Sequence, residues 1–220
     1  QWYIPKTKHD YARDFDEHWR DDLRAMVEKD YNHPCVLMYS IGNEVSETAQ
    51  ARGIELTGEM VALLHELDPS RAVTAGINLM LNGLVSMGKG IYKEDDGAGE
   101  ASSSERRKPP ASGSAFFNAL MNTVGTVMNY MGRLPFVDKA TRGAFEKLDI
   151  CGYNYGRGRY ALEKRAHPDR VVVGSETFPH ELHKNWQLVE KHPYLIGDFM
   201  WTGWDYLGEG GLGAIGYDRR

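Results

Sequence analysis

Two glutamates occupy the positions in this chain where chemistry is most easily built. The uncharged run from Val36 to Ile41 ends in Gly42, Asn43 and Glu44, and the β-branched run from Val171 ends in Ser175 and Glu176, followed by Pro179. Each acid emerges at the end of an apolar strand-like run, the place where α/β sheets and barrels assemble their sites. A plainer reading of Glu44 alone is the first-turn acid of the next helix, where a carboxylate meets the positive end of the dipole. The second acid in the same setting argues for a pair. Paired carboxyls can divide labour, one protonating a leaving oxygen while the other attacks carbon or activates water, as cleavage of a glycosidic bond requires.

The elements that must position the pair follow from periodicity. His33-Pro34 stops a preceding helix, because the residue before proline is pushed out of the α region. That helix carries Phe15, Trp19, Leu23, Met26 and Val27 at helical spacing, and Asp14, Asp16, Glu17, Asp21 and Asp22 form its solvated face. Val36–Gly42 reads as a strand buried on both faces, since it shows no clean alternation. A helix over about 47–67 ends at Asp68-Pro69, and Arg71–Asn78 is the next strand. After a long excursion over 79–147 the alternation resumes: strand Leu148–Tyr155, helix Tyr160–Ala166, strand Val171–Ser175, helix Glu181–Lys191 and strand Tyr194–Gly203. Five strand units alternating with helices predict an α/β fold with a parallel sheet, whose closed form is the (β/α)8 TIM barrel. Within the excursion, 94–114 is rich in Gly, Ser and Pro and suits a mobile surface loop. Phe116–Met131 has an apolar stripe that either packs on the barrel or walls the pocket.

Composition narrows the partners. The chain has 220 residues, 41% of them hydrophobic, and a net charge of −5, enough for one sizeable core and without the basic footprint of a nucleic-acid binder. No apolar run reaches the ~20 residues of a membrane span. The two cysteines, Cys35 and Cys151, fall within or at the start of predicted buried strands and read as reduced core thiols, pointing to a reducing compartment. The eight histidines are scattered, with no His-x-His or His-Glu-x-x-His, so no metal site is expected, and nothing calls for a cofactor.

Asn32-His-Pro before the first strand, Ser40-Ile-Gly-Asn-Glu44 at its end, Gly174-Ser-Glu-Thr177 and Phe199-Met-Trp-Thr-Gly-Trp-Asp-Tyr-Leu-Gly-Glu209 resemble the catalytic barrel of glycoside hydrolase family 2. The family contains β-galactosidases, β-glucuronidases and β-mannosidases. The resemblance covers the chain apart from about 79–147, so residues 1–220 are expected to form a single partial barrel domain interrupted by that excursion. It implies that the five strands are barrel strands four to eight, with the first three lying on the N-terminal side, and that the segment from Gln1 to Lys8 follows the third. Such a sheet would present open edges, so self-association or further N-terminal domains of the same protein are the expected partners besides a carbohydrate substrate.

The resemblance also implies roles: Glu44 as general acid/base, Glu176 as nucleophile, and Asn43 as the donor to the sugar 2-hydroxyl. Tyr155, and after it Tyr153, match the tyrosine that contacts the nucleophile, with a packed strand residue as the alternative for each. Trp201 matches the tryptophan on the sugar-site floor, where the peptide bond to Thr202 is expected to be cis. Trp204, Asp205 and Glu209 either contact substrate or pack the loop. His180 departs from the spacing of a histidine some members place beside the nucleophile, and no Asn-x-Lys follows Trp201 to grip a uronic carboxylate. A retaining β-galactosidase is therefore the expected activity, ahead of other family specificities and of a carbohydrate-binding barrel without turnover.

Overall fold

The computed structural model describes residues 2–5, 10–88 and 130–201. Five parallel strands, β1 (Met38–Asn43), β2 (Ala72–Asn78), β3 (Ile150–Asn154), β4 (Val172–Thr177) and β5 (Leu195–Met200), lie side by side in chain order. Sequential order with helical crossovers is the topology of successive barrel units. The crossovers are α1 (Phe15–Asp30) before β1, α2 (Ala51–Leu67), α3 (Leu79–Ser86) and α4 (Pro135–Phe145) between β2 and β3, α5 (Arg157–Ala166), and α6 (Leu182–Lys191). No helix among the described residues is long and apolar enough to cross a membrane.

Helix α1 buries Phe15, Trp19, Leu23 and Val27, a stripe of every fourth residue, and Leu56, Met60 and Leu64 of α2 meet the same core. Each such side chain contributes on the order of 1.5–3 kcal/mol on burial. Asp68, at the end of α2, accepts hydrogen bonds from Ser70, Arg71 and the Tyr39 hydroxyl. These donors, Ser70 foremost, hold its carboxyl well below the usual range and fasten the α2–β2 corner to β1. At the N-terminal side, Trp2 stacks on Phe15, donates from its indole to the Ile41 carbonyl, and sends its backbone N–H to buried Glu47.

Three expectations need correction. The first strand is not buried on both faces: Tyr39 and Ile41 are buried, Ser40 is exposed, and Leu37, 75% exposed, precedes the strand. β1 pairs with β2 alone among the described residues and is covered only on the face that carries Tyr39 and Ile41, whereas β2, paired on both sides, is buried from Val73 to Asn78. Cys35 accordingly lies exposed ahead of the strand, while Cys151 is buried. The excursion also begins and ends in helix. Helix α3 starts directly at Leu79 because the Asn78 side chain accepts from the Leu81 N–H at 3.1 Å, an N-cap. Helix α4 opens on Pro135 at its first position, and its Phe136 and Val137 crowd Gly83 so closely that an added Cβ there would sit 2.9 Å from both. The stretch 94–114 and the stripe up to residue 129 lie outside the described residues.

Candidate functional site

The C-terminal ends of the strands converge on a polar cluster. β1, β2 and β3 each finish on an asparagine, Asn43, Asn78 and Asn154, and β4 reaches its end through Ser175, Glu176 and Thr177. Register shifts occur before Asn43 in the β1–β2 pairing and at Asn154 in the β3–β4 pairing. Such bulges re-aim side chains at barrel rims. Just beyond β1 and β3, Glu44 and Tyr155 take φ of 52° and 53°, a left-handed conformation rare for residues with a Cβ. Backbone bonds hold both there: Glu44 N–H donates to the Gly76 carbonyl and Tyr155 N–H to the Glu176 carbonyl, each at 2.8 Å.

Around Glu176 the donors are Tyr155, whose hydroxyl donates to Oε1, Asn154, whose amide nitrogen lies 2.9 Å from Oε2, and the Asn43 side chain. Glu44 accepts from Asn78 Nδ2 at 2.9 Å and from Asn154 Nδ2 at 3.3 Å. One nitrogen of Asn154 thus touches both carboxylates, so their nearest oxygens are no farther apart than those two contacts, 2.9 and 3.3 Å, laid end to end. Burial, reinforced by the facing Glu44 charge, raises the Glu176 pKa to about 7 against the pull of Tyr155, Asn43 and Asn154. Burial likewise raises the Tyr155 hydroxyl, with the neighbouring carboxylates adding to it, so it stays a donor. Tyr155 is itself wedged by Phe178, whose ring centroid is 4.5 Å away and which stacks in turn on His180. Met80, Leu84 and Met131, all from the excursion, complete this apolar wall.

The structure therefore brings Glu44, Glu176, Asn43 and Tyr155 together, and leaves Tyr153 out. Tyr153 is fully buried, packs on Phe145 and Tyr160, and its hydroxyl accepts from Arg170 at 3.4 Å; alternation along β3 turns it toward the helices while its neighbour Asn154 faces the carboxylates. Trp201 continues β5, its N–H donating to the Thr177 carbonyl, with its indole 48% exposed and no hydrogen bond or ring contact to the pair among the described residues. Trp204, Glu209 and the peptide bond to Thr202 lie outside the described residues. Asn78, Asn154 and Ser175 are the site residues that sequence reasoning passed over, although asparagines ending three successive strands were a visible signal. No group of His, Cys, Asp and Glu that could hold a metal occurs among the described residues.

Residues 7–109 match the family model described as glycosyl hydrolases family 2, TIM barrel domain. A β-galactosidase of Bacteroides ovatus, BoGH2A, is 28% identical over 94% of this chain, and a Formosa agariphila protein provisionally named a β-glucuronidase is 26% identical over 94%. The chain spans 27% and 19% of those two relatives. A solved family 2 glycosyl hydrolase from Bacteroides cellulosilyticus superposes with a TM-score of 0.61 at 30% identity, covering 92% of this chain and 20% of the other.

Proposed function

From the premise that this chain carries part of a glycoside hydrolase family 2 barrel, we propose that it is the catalytic portion of a retaining β-galactosidase with Glu44 as acid/base and Glu176 as nucleophile. The observation that carries this reading is the shared contact of Asn154 Nδ2 with both carboxylates. Contact through a single nitrogen keeps the two carboxylates close, which favours the ~5–5.5 Å arrangement of retaining glycosidases over the ~6.5–9.5 Å arrangement that leaves inverting enzymes room for an intervening water.

In the first step a Glu176 oxygen attacks the anomeric carbon as the bond to the aglycone oxygen breaks, and Glu44 delivers its proton to that oxygen. In the second, Glu44 takes a proton from water, the water oxygen attacks the anomeric carbon, and the Glu176 carboxylate leaves. The raised affinity of Glu176 for a proton is compatible with this division. Once Glu44 holds the proton it must deliver, its charge no longer opposes ionisation of Glu176, and Tyr155, Asn43 and Asn154 then favour the anion against burial. Exposed Asn43 beside the two carboxylates is placed to meet a 2-hydroxyl, and the exposed Trp201 offers an indole face for the C–H surface of a pyranose. Trp204 and Glu209 complete the proposed substrate contacts.

The name of the Bacteroides ovatus relative supports galactoside as the substrate, and that of the Formosa agariphila relative keeps glucuronide as the second reading. Hydrolysis of chromogenic β-galactoside and β-glucuronide by the protein that carries this chain separates the two. Glu44→Gln tests the acid. Its rate should fall by at least about 100-fold more on a poor leaving group than on an activated one, because only the former needs protonation. Equal losses on both would remove Glu44 from that role.

A further inference from the structure

The bridging amide itself is held in one orientation. Asn154 is 1% exposed, and its Oδ1 accepts from the Ser175 hydroxyl at 2.6 Å, which leaves Nδ2 to face Asn43 Oδ1 at 2.8 Å and the two carboxylates. A flipped amide would place Oδ1 against two carboxylates and the Asn43 amide oxygen. The backbone beneath is bare for the same purpose. A Cβ on Gly76 would come within 2.6 Å of Asn43 Oδ1 and 2.8 Å of Asn154 Oδ1, and one on Gly152 within 3.0 Å of Ser175 Oγ.

We propose that Ser175 and Asn154 form a positioning device that keeps an amide donor on Glu176, the proposed nucleophile. Ser175 touches neither carboxylate and acts only through Asn154. The proposal rests on the reading of Glu44 and Glu176 as the catalytic pair. Its physical content is that the Asn154 N–H₂ group donates to Glu176, so that carboxylate is easier to ionise than it would be without that donor. Removing the donor raises the proton affinity of Glu176, which must be ionised to attack. The acid limb of the kcat/KM profile then moves to higher pH, whereas a loss of packing alone lowers the curve without sliding it.

The experiment is the pH dependence of kcat/KM on a chromogenic glycoside that the parent protein hydrolyses, for Asn154→Ala, Ser175→Ala and Glu176→Gln in the protein that carries this chain. Asn154→Ala should shift the acid limb alkaline by about one pH unit, the worth of one charge-assisted hydrogen bond. Ser175→Ala, which removes one hydroxyl and leaves the strand intact, should shift it in the same direction by less, and it decides the matter if Asn154→Ala does not fold. An unmoved acid limb in Ser175→Ala, or an acid limb moved to lower pH in either variant, would overturn the proposal. Glu176→Gln keeps the outcomes apart: if it retains turnover the catalytic pair itself is wrong, and if it is inactive while the Ser175 and Asn154 profiles stay fixed, only the positioning device falls.

Discussion

The carboxylates at the strand ends and those between the outer helices are the same chemical groups in opposite surroundings. Between α4, α5 and the start of β4, Glu163 and Asp138 face guanidinium groups, and Asp138 also faces a histidine. Glu163 accepts from Arg159 at 3.0 Å and Arg170 at 2.6 Å, and Asp138 from Arg142, Arg159 and His167 at 2.5, 2.8 and 2.7 Å. Against the burial that would raise it, Arg142, His167 and Arg159 hold Asp138 well below the ordinary carboxylate range. Glu44 and Glu176 have only neutral amide and phenol donors in these contacts, and each has the other's charge nearby. A carboxylate ringed by guanidinium is a fixed anion that ties helices together. Glu176, ringed by neutral donors beside a second acid, exchanges its proton near neutrality, a poise that reactive carboxyls need.

Substitution at each cluster should separate these roles. Glu176→Gln should lower turnover by about 10⁴-fold or more in the complete enzyme while leaving the fold intact, as judged by kinetics beside circular dichroism. Glu163→Gln should do the reverse. With Glu163 only 1% exposed, loss of its charge leaves the buried Arg170 guanidinium without a carboxylate partner among the described residues and Arg159 with Asp138 alone, at a cost of roughly 3–5 kcal/mol in denaturant titrations, with little change in kcat of the folded fraction. A Glu163→Gln protein of full stability would erase the distinction between the clusters.

Stability against pH sharpens the same contrast. The Glu176 pKa is raised from 4.5 to about 7, so its protonated form stabilises the fold fully below about pH 4.5, and that contribution is lost as pH rises through 7. Glu176→Gln should therefore gain on the parent by up to roughly 3 kcal/mol between pH 4 and pH 8. Asp138 is depressed, so its contribution is present above the ordinary carboxylate range and is lost as pH falls through its low folded value. The deficit of Asp138→Asn should accordingly shrink on acidification. Parallel pH profiles for the two variants would refute the assignment. The smallest effect is expected at Asn78, which caps α3 through Oδ1 and serves Glu44 through Nδ2. Asn78→Ala should cost about 1 kcal/mol by thermal melting through the lost cap. No loss of stability would mean that α3 is held by packing alone.

Much of this arrangement was legible from residue order. A run such as Val36–Ile41 ending in Asn43-Glu44, and its counterpart ending in Glu176, fixes two acids at strand ends, because strand period and proline stops are local properties. The alternation of five such runs with amphipathic helices fixes a parallel sheet for the same reason. What the sequence could not decide depends on neighbours distant along the chain. Tyr153 and Tyr155 share one strand run, yet the pleat buries the first among Phe145 and Tyr160, and a left-handed turn carries the second onto Glu176. The burial of β1 on one face alone, with Tyr39 and Ile41 in the core and Ser40 exposed, depends on which elements pack over each face of the sheet, which its composition does not encode. Helix α3 was hidden because a short, largely apolar stretch with Asn82 buried among its apolar residues shows little amphipathic period, and only the Asn78 cap marked its start. Asn154 and Ser175 are unremarkable as residues. Their place between two carboxylates 110 and 22 positions from Asn154 exists only once parallel pairing brings the strand ends into register.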